Sequence, residues 1–263
     1  MSTTFPSGTK PSDTLDVSAT PAVPMSRLLR VELRKMWDTR AGMWLLIAIG
    51  AITAIVMTIF VLTASEVDRT FFNMLGVTII PQAFLLPVLG ILLVTQEWGQ
   101  RTGMVTFTLE PHRGKVLWAK VAAAVLFGLA AMLVAMLLAG LGAVLFGGPD
   151  AWGGFGVDDF AKIALLQVSG VVQGLVFGLL FLNSAAAIVT SFVLPIAFNV
   201  LSSLWSAMKD IAPWVDLGTS QPVLYSGDHV TGAEWAHIAT GSLLWIIVPF
   251  ALGMWRVLRA EVK

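Results

Sequence analysis

The segment from Ile163 to Met208 decides how many times this chain crosses a membrane. It reads IALLQVSGVVQGLVFGLLFLNSAAAIVTSFVLPIAFNVLSSLWSAM and contains no charged residue. At about 1.5 Å per residue, one helix of this length would be roughly twice as long as the hydrocarbon core of a bilayer is thick. We therefore expect two helices, separated by a turn from Asn183 to Ala185, where polar and small residues interrupt the apolar run.

Other uncharged apolar runs extend this interpretation along the chain. The sequence is 57% hydrophobic and 12% charged, and the charged share is about half that of an ordinary soluble domain. We predict an all-α polytopic membrane protein with a transmembrane domain over residues 26–259. Its six transmembrane helices are expected at about residues 43–65, 72–96, 117–147, 162–182, 185–207 and 235–256.

The chain before the first span divides into two parts. Residues 1–25 are rich in Ser, Thr and Pro without apolar periodicity, which predicts a disordered tail. Residues 26–40 place apolar and basic side chains on different faces of a helix, which is typical of an amphipathic helix in the headgroup plane of a membrane. The apolar face carries Leu29, Leu33, Met36 and Trp37, and the basic face carries Arg27, Arg30 and Arg34. A helix that packs on a protein core is the alternative.

The distribution of basic residues predicts the orientation. An even number of spans places both termini on one side, and positively charged loops favour the cytoplasm. With both termini inside, residues 1–25 and 260–263 become cytoplasmic tails, and only Arg69, Lys162 and Lys209 lie outside. The basic residues that then lie inside are Lys10, Arg27, Arg30, Arg34, Lys35, Arg40, Arg101, Arg113, Lys115, Lys120, Arg256, Arg259 and Lys263. We expect a multi-pass protein of the cell membrane.

Several function classes are disfavoured by what the sequence lacks. There is no cysteine, the three histidines are scattered, and the net charge is zero, so we expect no metal site, no catalytic residues and no nucleic-acid partner. No span carries a charge near its middle, which disfavours an ion-coupled carrier. The chain also lacks a phosphate-binding loop of the G-x-x-x-x-G-K-[ST] type, so any energy must come from a partner.

A few polar side chains interrupt the apolar spans. They could line a substrate path, but hydrogen bonding between helices is the more common role of such groups. The candidates for the path are Gln82, Gln167, Gln173 and Asn199.

Glycines recur every four residues in the fourth span, at Gly170, Gly174 and Gly178. A strip of this kind lets another helix approach closely. The spacing does not decide whether that helix belongs to the same chain or to a second one.

The segment between the second and third spans, residues 97–115, reads EWGQRTGMVTFTLEPHRGK. It is the only long loop between spans that we expect on the cytoplasmic side. Its charged side chains could pair with a charged groove of a partner, while its apolar ones could fill a pocket. The first group contains Glu97, Arg101, Glu110 and Arg113, and the second contains Val105, Phe107 and Leu109. A solvated turn that only sets the topology is the alternative.

This arrangement resembles the permeases of type-2 ABC exporters. In those permeases the second span ends in an acidic residue, followed by small residues and Thr, a short apolar run, Pro with a basic residue, and Lys in the third span. The corresponding residues here are Glu97, Gly99, Thr102 and Gly103, then 104–109, Pro111 with Arg113, and Lys120. Arg101 and His112 depart from the common pattern.

The resemblance implies a coupling loop on which a separate ATPase subunit binds. Two such subunits, carrying ATP and Mg, and a second permease copy or a related chain would complete the exporter, and this chain would bind no cofactor itself. An amphipathic or hydrophobic cargo, such as a drug, lipid or peptide, is expected. Outside, residues 208–234 would form a lid or an interfacial anchor. A membrane scaffold or sensor that moves no cargo is the alternative function.

Overall fold

The structure, a computed structural model, describes residues 23–100, 106, 108, 110, 112–226 and 229–259. The described chain is helical throughout. Its α-helices are α1 (Met25–Asp38), α2 (Arg40–Thr63), α3 (Phe71–Gly99), α4 (Arg113–Phe146), α5 (Val157–Phe181), α6 (Ser184–Leu204), α7 (Ser206–Val215), α8 (Leu217–Ser220), α9 (Gly232–Ser242) and α10 (Val248–Arg259). A 3₁₀-helix, Gln221–Tyr225, follows α8, and a π-helical turn, Leu243–Ile247, joins α9 to α10.

The prediction of six membrane-spanning helices is confirmed. Within the described residues, six helical stretches are long and apolar enough to cross a membrane: α2 to α6, and the continuous run Gly232–Arg259. Each predicted span lies on one of them. The largest difference is at the start of α5, which begins at Val157, where the sequence led us to expect 162.

Exposed tryptophans mark both ends of the bundle. We call the end that carries α1 and residues 97–115 the loop end, and the opposite end the far end. Tryptophan is enriched where a protein surface meets the membrane–water interface, and the surface between these two belts is dominated by exposed Leu, Ile and Val. Exposed members at the loop end are Trp37, Trp44, Trp118 and Trp255, and those towards the far end are Trp152, Trp205, Trp214 and Trp235. An exposed apolar surface of this extent is typical of a membrane protein.

A turn follows the fourth span as predicted, but it lies at Leu182 and Asn183, because Ser184 and Ala185 of the predicted turn already belong to α6. Leu182 adopts a left-handed backbone conformation with φ of 52°, and the Asn183 side chain accepts a hydrogen bond from the Ala186 N–H at 3.0 Å. Arg256 donates to the Leu180 carbonyl at the end of α5, where a cation also complements the helix dipole. The chain therefore reverses sharply at the loop end and continues as α6.

Helices α3 and α5 form the centre of the bundle, and α6 lies almost uncovered at its edge. Two apolar cores result. One, around Leu89, Leu175 and Leu179, extends to the loop end and includes Met36 of α1. The other, around Met74 and Met132, lies towards the far end.

The predicted outer segment, residues 208–234, is mostly helical. It comprises most of α7, all of α8 and the 3₁₀-helix, and then leads into α9. The indole N–H of Trp245, in the π-helical turn, donates to the Val215 carbonyl and so ties α7 to the last span. The predicted tails at residues 1–22 and 260–263 lie outside the described part of the chain.

Candidate functional site

Four charged side chains meet at the loop end and form what we call the charge cluster: Glu32 and Lys35 of α1, Glu97 of α3, and Lys120 of α4. Lys120 Nζ lies 2.7 Å from Glu32 Oε2 and 3.2 Å from Glu97 Oε2. Lys35 Nζ lies 2.7 Å from Glu32 Oε1 and also contacts Glu97 Oε1. Each carboxylate thus contacts both ammonium groups, and the four charges sum to zero.

The charge cluster is largely withdrawn from solvent. The side chain of Lys120 is 2% exposed, that of Glu32 4% and that of Glu97 6%, whereas Lys35 remains 31% exposed. Burial of an ion is compensated only when opposite charges and further hydrogen bonds surround it. Lys120 meets this requirement with a third partner, the Leu93 carbonyl oxygen at 3.0 Å.

The electrostatics of Lys35 agree with this arrangement. Burial alone disfavours its charged form, but the attraction of Glu32 and Glu97 outweighs burial and holds the pKa of Lys35 above its ordinary value. The ammonium form is therefore the stable one at neutral pH.

Residues that follow α3 extend these contacts. The Thr106 hydroxyl donates to Glu97 Oε1 at 3.3 Å. Buried Glu110 accepts a hydrogen bond from His112 Nδ1 at 2.9 Å and lies 3.6 Å from Lys115 Nζ. The hydrogen bond from His112 outweighs burial and lowers the pKa of Glu110 below its ordinary value. The described part of residues 97–115 is thus anchored to its own chain.

Only part of the predicted coupling surface can be located. Gly99 is exposed, with open space around it. Glu97 points into the charge cluster, and Arg113 donates to the Val257 carbonyl of α10 at 2.9 Å. Both were expected to face a partner, but their contacts are within the chain. The remaining predicted residues lie outside the described ones: Arg101, Thr102, Gly103, Phe107, Leu109 and Pro111.

The apolar face of α1 differs from the prediction in what it contacts. Leu29 and Leu33 pack against the chain's own apolar core and Met36 is fully buried in it, so this face does not lie on lipid. The alternative of a core-packed helix describes it better, because the start of α4 and the end of α3 cover it. Trp37 is the exception, at 69% exposed.

The basic face of α1 is exposed as expected. Arg27, Arg30 and Arg34 all lie on the surface, and Arg34 Nε contacts Asp38 at 2.9 Å.

The three glycines of the α5 strip differ in their surroundings. Cβ atoms added at Gly174 and Gly178 would lie 1.9 Å from the Pro87 carbonyl oxygen and 3.0 Å from that of Ile91. These two glycines therefore let α5 pack closely on α3 of the same chain. Gly170 has no atom within 4 Å of such a Cβ, so it takes no part in the contact and borders a cavity.

The predicted path residues do not form one continuous line. Gln167 donates to the Gln82 side chain, and both are buried between α5 and α3, which is the helix-bridging role given above as the alternative. Gln173 borders two adjoining cavities. Asn199 is exposed on α6 and borders none of the cavities described below.

Three adjoining cavities lie between α3, α5 and the segment from α8 to the 3₁₀-helix. Their volumes are about 220, 680 and 100 Å³. Gln221 borders all three and donates to the Ser169 hydroxyl at 2.9 Å. The largest is walled mainly by apolar side chains of α3 together with Pro222 and Tyr225.

Sequence reasoning missed Glu32 and Lys35 as site residues. One signal was available for Glu32: it falls on the same helical face as Leu29, Leu33 and Met36, where an acidic residue is out of place. A charge on an apolar face requires a buried partner. Lys35 had no comparable signal, because it lies beside Arg34 among the basic residues of the helix.

Comparison with known proteins provides no identification. No protein-family model matches this chain, and no curated protein sequence is significantly similar to it. Among the described residues, no group of three or more His, Cys, Asp or Glu side chains could hold a metal ion.

Proposed function

We propose that this chain is the membrane-spanning subunit of an ATP-driven exporter, and that ATPase subunits bind at its loop end. The charge cluster is the observation that carries the proposal. It joins the end of α3, where the loop begins, to α1 and to α4. A force applied to the loop therefore reaches three helices through buried ion pairs instead of bending a flexible connection.

The sequence motif and the position of the cluster support each other. The residues resembling a coupling loop, Glu97 to Arg113, begin at the cluster and end at the contact between Arg113 and α10. Glu97 and Arg113 would then be the two fixed ends of the loop, and Phe107 and Leu109 between them would contact the partner. ATP and Mg belong to that partner, since this chain has no phosphate-binding loop.

The exposed edge helix favours a second permease copy, or a related chain. Helix α6 buries little more than Ala187 in its own bundle, and it carries Asn199 on its exposed surface. An amide in contact with lipid tails lacks hydrogen-bond partners, whereas a facing helix can supply them. The complex would then contain two permease chains and two ATPase subunits, with cargo moving between the bundles.

The orientation follows from the basic residues. The exposed Arg27, Arg30 and Arg34 lie at the loop end, and positively charged segments face the cytoplasm. Both termini and the loop would then be cytoplasmic in the cell membrane, and an amphipathic or hydrophobic cargo would leave at the far end.

Affinity purification from native membranes tests the proposal. The tagged chain, solubilised in mild detergent, should retain an ATPase that hydrolyses ATP. A Phe107→Ser/Leu109→Ser variant should lose it, because these side chains were assigned to the partner pocket on sequence grounds. Glu97 and Arg113 are unsuitable for this test, since their contacts hold the chain itself together.

A matched control replaces two apolar residues at the far end. Val67 is 79% and Val157 88% exposed, so Val67→Ser/Val157→Ser removes similar apolar surface away from the loop and should leave the ATPase bound. If the unaltered chain retains no ATPase, the proposal of an ATP-driven exporter is wrong, and a membrane scaffold or sensor is the better proposal. If both variants lose the ATPase equally, the loop is not the contact.

A further inference from the structure

A buried carboxylate borders the cavity of about 220 Å³. Asp216 is 7% exposed and is the only charged side chain among the described residues that line this cavity. Its oxygens accept hydrogen bonds from the Gly218 N–H at 3.2 Å and the Thr219 hydroxyl at 2.7 Å. Both donors are neutral, and none of the ion pairs formed within the described residues includes Asp216.

A buried carboxylate without a cation is unfavourable unless something else compensates its charge. Two hydrogen bonds from neutral groups replace only part of the hydration that the ionised group loses. The charge cluster shows how this chain treats buried carboxylates elsewhere, because each of them there contacts two ammonium groups. At Asp216 no described residue supplies the corresponding cation.

The walls of the same cavity are aromatic. The Trp245 ring meets Phe177 and Phe198 edge to face, with centroids 6.3 and 6.0 Å away. Phe84 and Phe192 also line this cavity, and their rings stack with centroids 6.3 Å apart. Aromatic faces attract organic cations, and tryptophan does so most strongly. The combination of aromatic walls and one carboxylate is suited to an ammonium group.

A larger apolar space opens from this cavity. The cavity of about 680 Å³ shares Phe84, Leu217 and Gln221 with the smaller one and is lined by apolar side chains of α3. None of the described residues that line it is charged. A hydrocarbon chain attached to the ammonium group could therefore extend into it and leave no polar group buried without a partner.

We infer that the two cavities form one binding site for a cationic amphiphile, with an organic ammonium head beside Asp216 and an apolar tail in the larger space. The inference names the cargo class of the exporter and in that respect rests on the proposed function. Anionic amphiphiles are disfavoured, because none of the described residues that line the two cavities is a lysine or an arginine. A metal ion is disfavoured too, since it requires several oxygen ligands and aromatic walls supply none.

Binding of dodecyltrimethylammonium tests the site. The full chain is placed in phosphatidylcholine nanodiscs without ATP or partner, and bound radiolabelled probe is measured by a scintillation proximity assay. Dodecyldimethylamine N-oxide, at a pH where it is uncharged overall, has the same tail and a head of similar size. We expect saturable binding of the ammonium compound and at least about tenfold weaker binding of the N-oxide.

Two variants locate the interaction. Asp216→Asn keeps a side-chain acceptor and removes the charge, and it should weaken ammonium binding at least about tenfold while N-oxide binding stays unchanged. Phe198→Leu, which leaves the Asp216 hydrogen bonds in place, should weaken ammonium binding about threefold or more. If Asp216→Asn does not fold, the Phe198→Leu variant still tests the inference.

Equal binding of both probes, or ammonium binding that neither variant changes, overturns the inference. The assay contains no ATPase, so its result is independent of the affinity purification. If the chain binds the ammonium compound but no ATPase copurifies, the binding site stands and the proposed export function is wrong. If an ATPase copurifies but the ammonium compound does not bind, the exporter stands and this cargo class is wrong.

Discussion

At the scale of single residues, the charge cluster is built so that no member can be removed alone. Glu32 and Glu97 each depend on the same two lysines, Lys35 and Lys120. Loss of one lysine leaves two carboxylates close together in a site that water barely reaches. Loss of one glutamate leaves two ammonium groups facing a single acid. The arrangement therefore favours one relative position of α1, α3 and α4.

The two lysines should differ in how much they stabilise the protein. Lys120→Met keeps the side-chain volume but removes the most buried charge, and we expect it to lower the free energy of unfolding by about 3–5 kcal/mol. Lys35→Met should destabilise by clearly less, because Lys35 is 31% exposed and water can replace part of its interaction. Thermal unfolding of both variants in detergent, followed by tryptophan fluorescence, measures the difference. Equal losses would contradict the assigned burial.

Glu110 should make the protein sensitive to acid. Its pKa in the folded chain is lowered from the ordinary 4.5 by the hydrogen bond from His112. Its stabilisation is then fully present above pH 4.5 and is lost as the pH falls through the lower folded value. The thermal midpoint of Glu110→Gln should start lower than that of the unaltered chain at neutral pH and converge with it in acid. Parallel curves would exclude this role for Glu110.

For these residues, the sequence alone could not show which side chains contact each other. Glu97 and Lys120 were singled out because a motif pointed to them, but the motif could not say that they contact each other. That contact depends on how α1 packs, and amphipathic periodicity alone cannot distinguish a face against lipid from a face against protein. The acidic residue on the apolar face, Glu32, was the observation that could have decided it.

At the scale of the helices, the pair α3 and α5 holds the bundle together through close backbone contact. Gly174 and Gly178 allow it from one side, and a Cβ at Gly90 would lie 2.0 Å from the Val171 carbonyl oxygen on the other. In a membrane, packing of this kind replaces the hydrophobic effect as the main attraction between helices.

Alanine substitutions along the glycine strip should separate packing from cavity positions. Gly174→Ala places a methyl group 1.9 Å from the Pro87 carbonyl oxygen, so we expect it to destabilise by about 1–3 kcal/mol or more through forced separation of the helices. Gly170→Ala meets open space and should change stability by less than about 0.5 kcal/mol. Thermal midpoints in detergent provide the comparison. A larger loss at Gly170 would mean that this strip packs on another chain.

The π-helical turn should hold the far-end segment in place. Trp245→Phe keeps an aromatic ring but removes the hydrogen bond to Val215, which contributes about 1 kcal/mol. We expect faster hydrogen–deuterium exchange in α7 and α8, with the centre of α3 unchanged. Trp235→Phe is the control, because Trp235 is 44% exposed on the same span. Equal exchange in both variants would show that Trp245 does not anchor α7.

The helices were easier to predict than their connections. Hydropathy over about twenty residues defines a span whatever its neighbours are, so all six spans could be placed. The segment 208–234 was expected to form a lid or an interfacial anchor. Its helices were not predicted, because α7, α8 and the 3₁₀-helix are too short for periodicity to define. Their position depends on Trp245, which looks in the sequence like any other apolar residue of the span.

In the molecule as a whole, the two candidate sites lie towards opposite ends of one bundle. The loop end carries the buried charge cluster, and the far half carries the cavities beside Asp216. Helices α3 and α5 connect them, since α3 provides Glu97 at the loop end and walls of the cavities further along. Movement started at the loop would therefore be transmitted to the space proposed for the cargo.

The most direct test of this claim is the distance between two copies at the far end, measured by double electron–electron resonance. The chain has no cysteine, so Val157→Cys, at a position 88% exposed, carries one spin label per copy in the complete complex with its ATPase. If the complex contains two copies of this chain, we expect a label-to-label distance that shifts when ATP and Mg replace ADP. An unchanged distance distribution would contradict a paired bundle driven from its loop end, and the absence of coupling between labels would exclude a pair of identical copies.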